Sequence, residues 1–237
     1  MFPPSLYGSL HLAYVWGSIA LWVIIPWLGV RFLASHQRRW FRYGLIALTL
    51  AAEWGDDLNR YLDNNFFWSH DLPLHLCSYA IYLTCWALYM RSQTAFELAY
   101  FWGLAGASQA MFTPDLSALK NQTYIFIFFF SHGIIILNVL WLVFVEKMRI
   151  RRGALWDVIL VTNGIAFLTT FWDKLLKANY MYLCEKPQAN SPFLIGGWPF
   201  YIIGMELFGI LIMFLLYLPM WLHQNRQMEL QPASSRN

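Results

Sequence analysis

Residues 122–144 read QTYIFIFFFSHGIIILNVLWLVF, and this stretch decides the fold. It contains no Asp, Glu, Lys or Arg, and His132 is its one side chain that ordinarily titrates near neutral pH. About 20 mainly apolar residues in a helix suffice to cross the hydrocarbon core of a bilayer. The stretch therefore predicts a transmembrane helix with a histidine inside it.

The same pattern recurs along the chain on both sides of this stretch. Hydrophobic residues make up 59% of the sequence and charged residues only 12%, against about 25% charged in an ordinary soluble domain. We predict an all-α fold, a polytopic bundle of seven transmembrane helices forming one domain over 1–225, with a disordered cytoplasmic tail over 226–237. The predicted spans are 10–33, 42–62, 72–90, 94–112, 122–145, 154–176 and 198–222.

The basic residues predict the orientation of the bundle. With the N-terminus outside and the C-terminus in the cytoplasm, the dense clusters RFLASHQRR and KMRIRR both fall on the cytoplasmic side. Cytoplasmic loops carry an excess of Lys and Arg, so this orientation is favoured. The predicted location is the cytoplasmic (plasma) membrane.

Several classes of protein are disfavoured by composition. The net charge of +3 is small and follows the loops, so we expect no nucleic-acid partner. The three cysteines form no CxxC pair, which argues against a disulfide framework or a cysteine zinc site. The first ten residues lack the basic region and cleavage site of a signal peptide, so the first apolar run is expected to remain.

Polar groups gather in the predicted outer half of the bundle. Ionisable groups inside a bilayer are costly and normally face a bundle interior or a wet cavity, so we predict one polar cavity that opens outward. The inner half holds little beyond Glu97 and Asp157. The outer groups are Glu53, Asp56, Asp57, Arg60, Asp71, His75, Cys77, Ser108, Gln109, Ser131, His132, Asp173, Lys174 and Glu206.

Two of these groups suggest chemistry. A thiol reacts as its thiolate, and a nearby imidazole eases the loss of the proton. Cys77 and His132 lie at similar depth, so they are candidates for the nucleophile and base of an acyl transfer. The alternative is structural, because cysteine is a common small core residue and a single histidine can simply join two helices.

The start of the third span, SHDLPLHLCSY, predicts local contacts. Asp71 is expected to cap the helix, with Pro73 in its first turn. His75 and Cys77 are two positions apart and point to different faces, which leaves His75 beside Asp71.

Helix contacts are predicted elsewhere. Asp56 and Arg60, four apart, should pair along one helix. Small residues favour close helix packing, and amide side chains favour hydrogen bonds between helices. The small residues are Gly103, Gly106, Ala107 and Ala110, and the amides are Asn138 and Asn163.

Four motifs together resemble a known family. LPLHLCS (72–78), WGLAGASQAMFTPDL (102–116), FFFSHGIIIL (128–137) and NYMYL…KP…GGWPFY (179–201) resemble the YwaF-type bacterial integral membrane proteins, relatives of human transmembrane protein 164. The resemblance implies a cysteine-dependent phospholipid acyltransferase. By motif, its membrane cysteine and histidine fall on Cys77 and His132.

The expected reaction moves an acyl chain from a phospholipid to a lysophospholipid, with no cofactor and no metal. Arg60, Lys174 or Lys177 would contact phosphate, and Glu53, Asp57 or Glu206 an ethanolamine amine. The candidate donors to the oxyanion are His75, Gln109 and Tyr180, and Asp173 is a further supporting residue.

Two other classes stay open at this point. A transporter or receptor would use the same cavity without catalysing a reaction. The sequence leaves the oligomeric state undetermined. A metal-dependent lipid hydrolase would use His75, His132, Asp57 and Glu206, although no HxxxH or HExxH spacing is present.

Overall fold

The computed structural model describes residues 8–114, 116, 122–187 and 194–229, with side chains described as far as residue 222. Within these ranges the protein is helical and contains no strand. The α-helices are α1 (Ser9–Phe32), α2 (Ser35–Leu62), α3 (Leu76–Met90), α4 (Gln93–Trp102), α5 (Ser108–Phe112), α6 (Gln122–Phe144), α7 (Ala154–Leu176) and α8 (Phe200–Glu229). A π-helical turn (Gly103–Ala107) joins α4 to α5, and a 3-10 turn (Tyr180–Tyr182) follows α7.

Four helices are long and apolar enough to cross a membrane: α1, α6, α7 and the Phe200–Leu222 part of α8. The protein is therefore a multi-pass membrane protein. A further helix, α3, is apolar but shorter. α2 carries many charged residues, and the predicted fourth span consists of α4, the π turn and α5.

The predicted start of the third span is wrong. α3 begins at Leu76, and its N-cap is His75, which makes no capping side-chain bond. Asp71 does not cap the helix. Its carboxylate accepts from the Phe67 amide at 2.8 Å and from Arg60 at 3.3 Å. These two bonds hold the connection between α2 and α3, so the carboxylate does not reach the start of α3.

Helices α2 and α6 pair antiparallel along their whole length. Three polar contacts fix the register: Arg42 to Glu146 (3.7 Å), Asn138 to Thr49 (2.9 Å), and Tyr124 to Asp63 (2.7 Å). We call the end with Asp63 and Tyr124 the outer end, following the charge pattern, and the end with Arg42 and Glu146 the inner end.

The middle contact also includes α3. Asn138 Nδ2 donates to the hydroxyls of both Thr49 and Thr84, and all three side chains are buried. This inner triad, Thr49–Thr84–Asn138, joins α2, α3 and α6. It confirms the interhelical role predicted for Asn138.

The π turn packs between α3 and α6. A β-carbon on Gly103 would lie 2.9 Å from a side-chain atom of Ile135, and one on Gly106 would lie 3.2 Å from Cys77 Sγ. A β-carbon at Gly103 would overlap Ile135, and one at Gly106 would crowd the thiol. The close packing predicted for these small residues is confirmed at both glycines.

The inner end is fastened by ion pairs. Glu97 is buried and binds Arg151 through both carboxylate oxygens, at 3.1 and 2.7 Å. Glu146 pairs with Arg91 at 3.1 Å as well as with Arg42. The sequence indicated no partner for Glu97, since Arg151 lies far along the chain.

The tail predicted over 226–237 begins within a helix, because α8 continues to Glu229. Residues 230–237 lie outside the described residues. The TPDL motif and the 177–197 loop are described only in part.

Candidate functional site

The depth of Cys77 and His132 follows from the inner triad. Thr84 and Asn138 share one hydrogen bond, and α3 and α6 both run from the outer to the inner end. Cys77 precedes Thr84 by seven positions and His132 precedes Asn138 by six. At 1.5 Å per residue, the two side chains lie about 10 Å and about 9 Å outward of the triad.

The faces of the helices bring both groups to the π turn. His132 precedes Val139 by seven positions and so shares its face of α6, the face that contacts Gly103. The π turn runs antiparallel to α6, so Gly106 lies one turn outward, level with His132. Cys77 Sγ packs on this same glycine.

Both candidate groups are partly buried, and neither is sealed in the core. Among the described residues no hydrogen bond joins the Cys77 thiol to the His132 ring. Both residues lie beside the π turn, Cys77 on α3 and His132 on α6. The catalytic pair stays a proposal.

The His132 ring has a defined tautomer. Its Nδ1 lies 2.7 Å from the Phe128 carbonyl oxygen, which can only accept. In the neutral ring, Nδ1 therefore carries the proton and Nε2 keeps a lone pair. The Phe128 ring packs beside it at 4.4 Å between centroids. This tautomer suits a base whose working atom is Nε2.

Two carboxyl groups of α2 have no partner within the described residues, and one of them lies near the thiol. Glu53 lies one turn outward of Thr49 on α2, near enough to Cys77 for an electrostatic interaction. Asp57 lies one turn beyond Glu53. Within the described part of the chain, neither makes a hydrogen bond or an ion pair, although both are partly buried.

Arg60 is already neutralised. It binds Asp56 at 2.7 Å and Asp71 at 3.3 Å, and its guanidinium lies over the Tyr124 ring at 5.1 Å. The Asp56–Arg60 pair predicted from the sequence is confirmed. A guanidinium with these partners has little capacity left for a phosphate.

The segment after α7 folds over the outer end of α3. The Tyr180 amide donates to buried Asp173 at 2.7 Å. The Tyr180 hydroxyl donates to the Trp68 carbonyl at 2.8 Å and accepts from the Leu72 amide at 3.0 Å. Burial raises the pKa of Tyr180, so its hydroxyl stays protonated and holds these contacts.

His75 contacts this segment through its ring. The Met181 amide donates to His75 Nδ1 at 3.3 Å, and the His75 ring meets the Tyr180 ring edge-on at 5.2 Å. His75 is also near enough to His132 to interact electrostatically. The outer loop therefore positions a second histidine two residues before the thiol.

Other predicted site residues make contacts elsewhere. Gln109 is exposed and donates to Thr113 at 3.2 Å. Glu206 accepts from Asn163 at 2.7 Å between α8 and α7, which confirms the interhelical role of Asn163. Lys174 is exposed on α7. These contacts do not bring the three residues to Cys77.

No three His, Cys, Asp or Glu side chains of the described ranges are grouped so that they could hold a metal ion. The metal-hydrolase alternative therefore lacks a ligand set there. Sequence reasoning also missed His11, a buried residue of α1 whose Nε2 lies 2.9 Å from the Met111 carbonyl. Only its place in an apolar run could have drawn attention to it.

Similarity to other proteins covers almost the whole chain. The profile of the TMEM164 family matches residues 6–217. An uncharacterized protein of Treponema pallidum (strain Nichols) is 28% identical over 218 residues, which is 90% of this chain and 88% of that protein. No solved structure matches.

Proposed function

Because this chain belongs to the TMEM164 family, we propose that it is a membrane phospholipid transacylase with Cys77 as nucleophile and His132 as base. The observation that carries the proposal is the convergence of these two groups. They lie at one depth, on either side of the π turn, and the Nε2 lone pair of His132 has no other partner among the described residues.

The first half-reaction loads the acyl group. His132 Nε2 takes the thiol proton as the sulfur attacks the ester carbonyl of a phospholipid. The carbon–sulfur bond forms, the carbon–oxygen bond breaks, and the leaving lysophospholipid oxygen takes the proton back from the imidazolium. The acyl chain is then held on Cys77 as a thioester.

The second half-reaction releases it. The hydroxyl of a lysophospholipid acceptor gives its proton to His132 and attacks the thioester carbonyl. The carbon–sulfur bond breaks, and the sulfur recovers the proton. Both halves use the same base, so the reaction needs neither coenzyme A nor a metal.

The charges around the thiol agree with concerted proton transfer. A carboxylate at Glu53 opposes a free thiolate on Cys77, so the proton should leave only as the sulfur–carbon bond forms. Glu53 and Asp57, which lack partners, suit a cationic head group. Arg60 is neutralised and Lys174 is exposed, so the proposal gives neither a role in binding phosphate.

The proposal includes the topology. Seven spans, with the N-terminus outside and the C-terminus in the cytoplasm of a bacterial plasma membrane, would put Cys77 in the outer half of the bilayer. A phospholipid of the outer leaflet would then reach the thiol sideways.

The experiment measures acyl transfer to the thiol. Purified protein in lipid nanodiscs is incubated with a phospholipid that carries a radiolabelled acyl chain. We expect a covalent label that hydroxylamine removes in the wild type and in Cys184→Ala, and no label in Cys77→Ala. Cys184 lies in the segment after the 3-10 turn and not on α3, so Cys184→Ala is the matched control for removal of a thiol.

Two results would contradict the proposal. One is an undiminished label in Cys77→Ala. The other is labelled lipid that copurifies without any covalent label, at equal amounts with and without the thiol. The second result would favour a lipid-binding receptor or transporter.

A further inference from the structure

We infer that His75 donates the N–H that stabilises the carbonyl oxygen of the acyl group while Cys77 attacks it. This inference rests on the proposed acyl transfer. It gives the two histidines of the site opposite duties, one as base and one as donor.

His75 has a defined tautomer. The Met181 amide donates to His75 Nδ1 at 3.3 Å, so this nitrogen carries no proton. A neutral imidazole with an accepting Nδ1 has its proton on Nε2. His132 has the reverse arrangement, since its Nδ1 donates to the Phe128 carbonyl.

The contacts of the His75 ring also give its Nε2–H a direction. The two nitrogens lie on opposite edges of an imidazole ring. The outer loop holds the Nδ1 edge through Met181, and the Tyr180 ring packs against His75 at 5.2 Å. Nε2 therefore points away from the Met181 amide, and His75 is near enough to His132 on α6 for an electrostatic interaction. In the described ranges, Nε2 has no hydrogen-bond acceptor.

The backbone of the outer loop is held so that the Met181 amide reaches His75. Met181 and Tyr182 both have positive φ angles, 54° and 57°, which are unfavourable for side-chain-bearing residues. Such backbone persists only where surrounding contacts hold it. Here the Tyr180 amide binds Asp173 at 2.7 Å, and the Tyr201 hydroxyl donates to the Tyr182 carbonyl at 2.9 Å. The outcome is an amide aimed at His75.

The other two candidate donors are less well placed than His75. The Tyr180 hydroxyl already donates to the Trp68 carbonyl. The Gln109 amide uses one of its two N–H groups on Thr113, and its side chain is exposed. His75 keeps an unused N–H on Nε2 within the described ranges and lies two residues before Cys77.

The chemistry requires two separate groups. When the thiol attacks, a base must receive a proton while the carbonyl oxygen becomes negative. His132 with a lone pair on Nε2 does the first, and His75 with a proton on Nε2 does the second. The same two duties recur when the acceptor hydroxyl attacks the thioester.

The test compares two variants whose new side chains are similar in length. His75→Met removes the donor, and His75→Gln keeps an amide N–H. Two rates are measured: acylation of Cys77 by radiolabelled phospholipid and alkylation of Cys77 by iodoacetamide. Alkylation forms no oxyanion, so it reports only on access to the thiol and its proton transfer.

We expect His75→Met to lower the acylation rate about 100- to 1,000-fold, the usual effect of losing one oxyanion donor. Its alkylation rate should stay within about twofold of the wild type. His75→Gln should recover at least about tenfold of the lost acylation. Exposed His70→Met serves as the control and should leave both rates unchanged.

The outcomes separate the inference from the proposed function. If the wild type acquires no acyl label, the transacylase proposal fails. If the wild type is labelled and His75→Met is labelled as fast, only the role of His75 is wrong. Equal losses of acylation and alkylation, without recovery in His75→Gln, would make His75 structural and would also overturn the inference.

Discussion

The inner and outer polar groups of this bundle differ in how far they are satisfied. In the inner triad, the Asn138 amide donates to two threonine hydroxyls, and each hydroxyl donates to a carbonyl of its own helix. Of these groups, only the Asn138 oxygen lacks a partner. Glu53 lies about 6 Å outward of the triad and Cys77 about 10 Å outward, and neither has a hydrogen bond within the described residues.

The difference separates structural from functional polarity. Burying a polar group without a hydrogen-bond partner costs free energy, so packing alone does not explain why such a group is present. Apart from the Asn138 oxygen, the groups of the inner triad satisfy one another and hold helices together. Glu53 and Cys77 keep unused hydrogen-bonding capacity within the described residues, which is what a site for a polar substrate group requires. Changes in the outer groups should affect the reaction, and changes in the inner triad should affect stability.

The largest expected effect is the loss of the base. His132→Gln should lower the rate of Cys77 acylation about 100- to 10,000-fold, because an amide cannot accept the thiol proton. The melting temperature should stay within a few degrees of the wild type. Radiolabel transfer and thermal unfolding in nanodiscs provide the two measurements, with exposed His36→Gln as control. Unchanged acylation would remove His132 from the mechanism.

The next effect concerns the inner triad. Asn138→Leu removes two interhelical hydrogen bonds and should destabilise the bundle by about 1–2 kcal/mol. Denaturant titration in mixed micelles measures this change. The acylation rate per folded molecule should fall less than about tenfold, since the reacting groups are untouched. A stable variant with strongly reduced acylation would instead assign the triad to the reaction.

The smallest effect tests the π turn. Gly106→Ala would place a β-carbon 3.2 Å from Cys77 Sγ, so the thiol must shift by a few tenths of an ångström. We expect the acylation rate to fall about three- to tenfold with little change in stability. Gly44→Ala is the matched control, because its β-carbon meets no atom within 4 Å. Equal acylation in both variants would show that Cys77 is not held by this turn.

Much of the helical organisation could be predicted from the sequence. Each predicted span overlaps a helix or a run of helical turns, although the third helix begins later than predicted. Gly103, Asn138, Asn163 and the Asp56–Arg60 pair have the predicted roles. These successes depend on local patterns: apolar run length, small residues and i,i+4 spacing. The seven-span count, the orientation and the YwaF-type resemblance remain predictions.

Other features could not be predicted in this way. Asp71 was expected to cap α3 and instead binds Arg60 and the Phe67 amide. A carboxylate near a helix start has several partners within reach, and the tertiary fold selects among them. Glu97 meets Arg151 across the inner end, a contact that no local spacing could indicate.

The sequence alone determined that this protein lies in a membrane as helices and that its reactive side chains are few. Those properties follow from residue type and from the length of apolar runs, which act locally. Only the tertiary structure decided that Cys77 packs on Gly106 and that the Met181 amide donates to His75 Nδ1. Such contacts join distant parts of the chain, and their geometry depends on how the helices pack together.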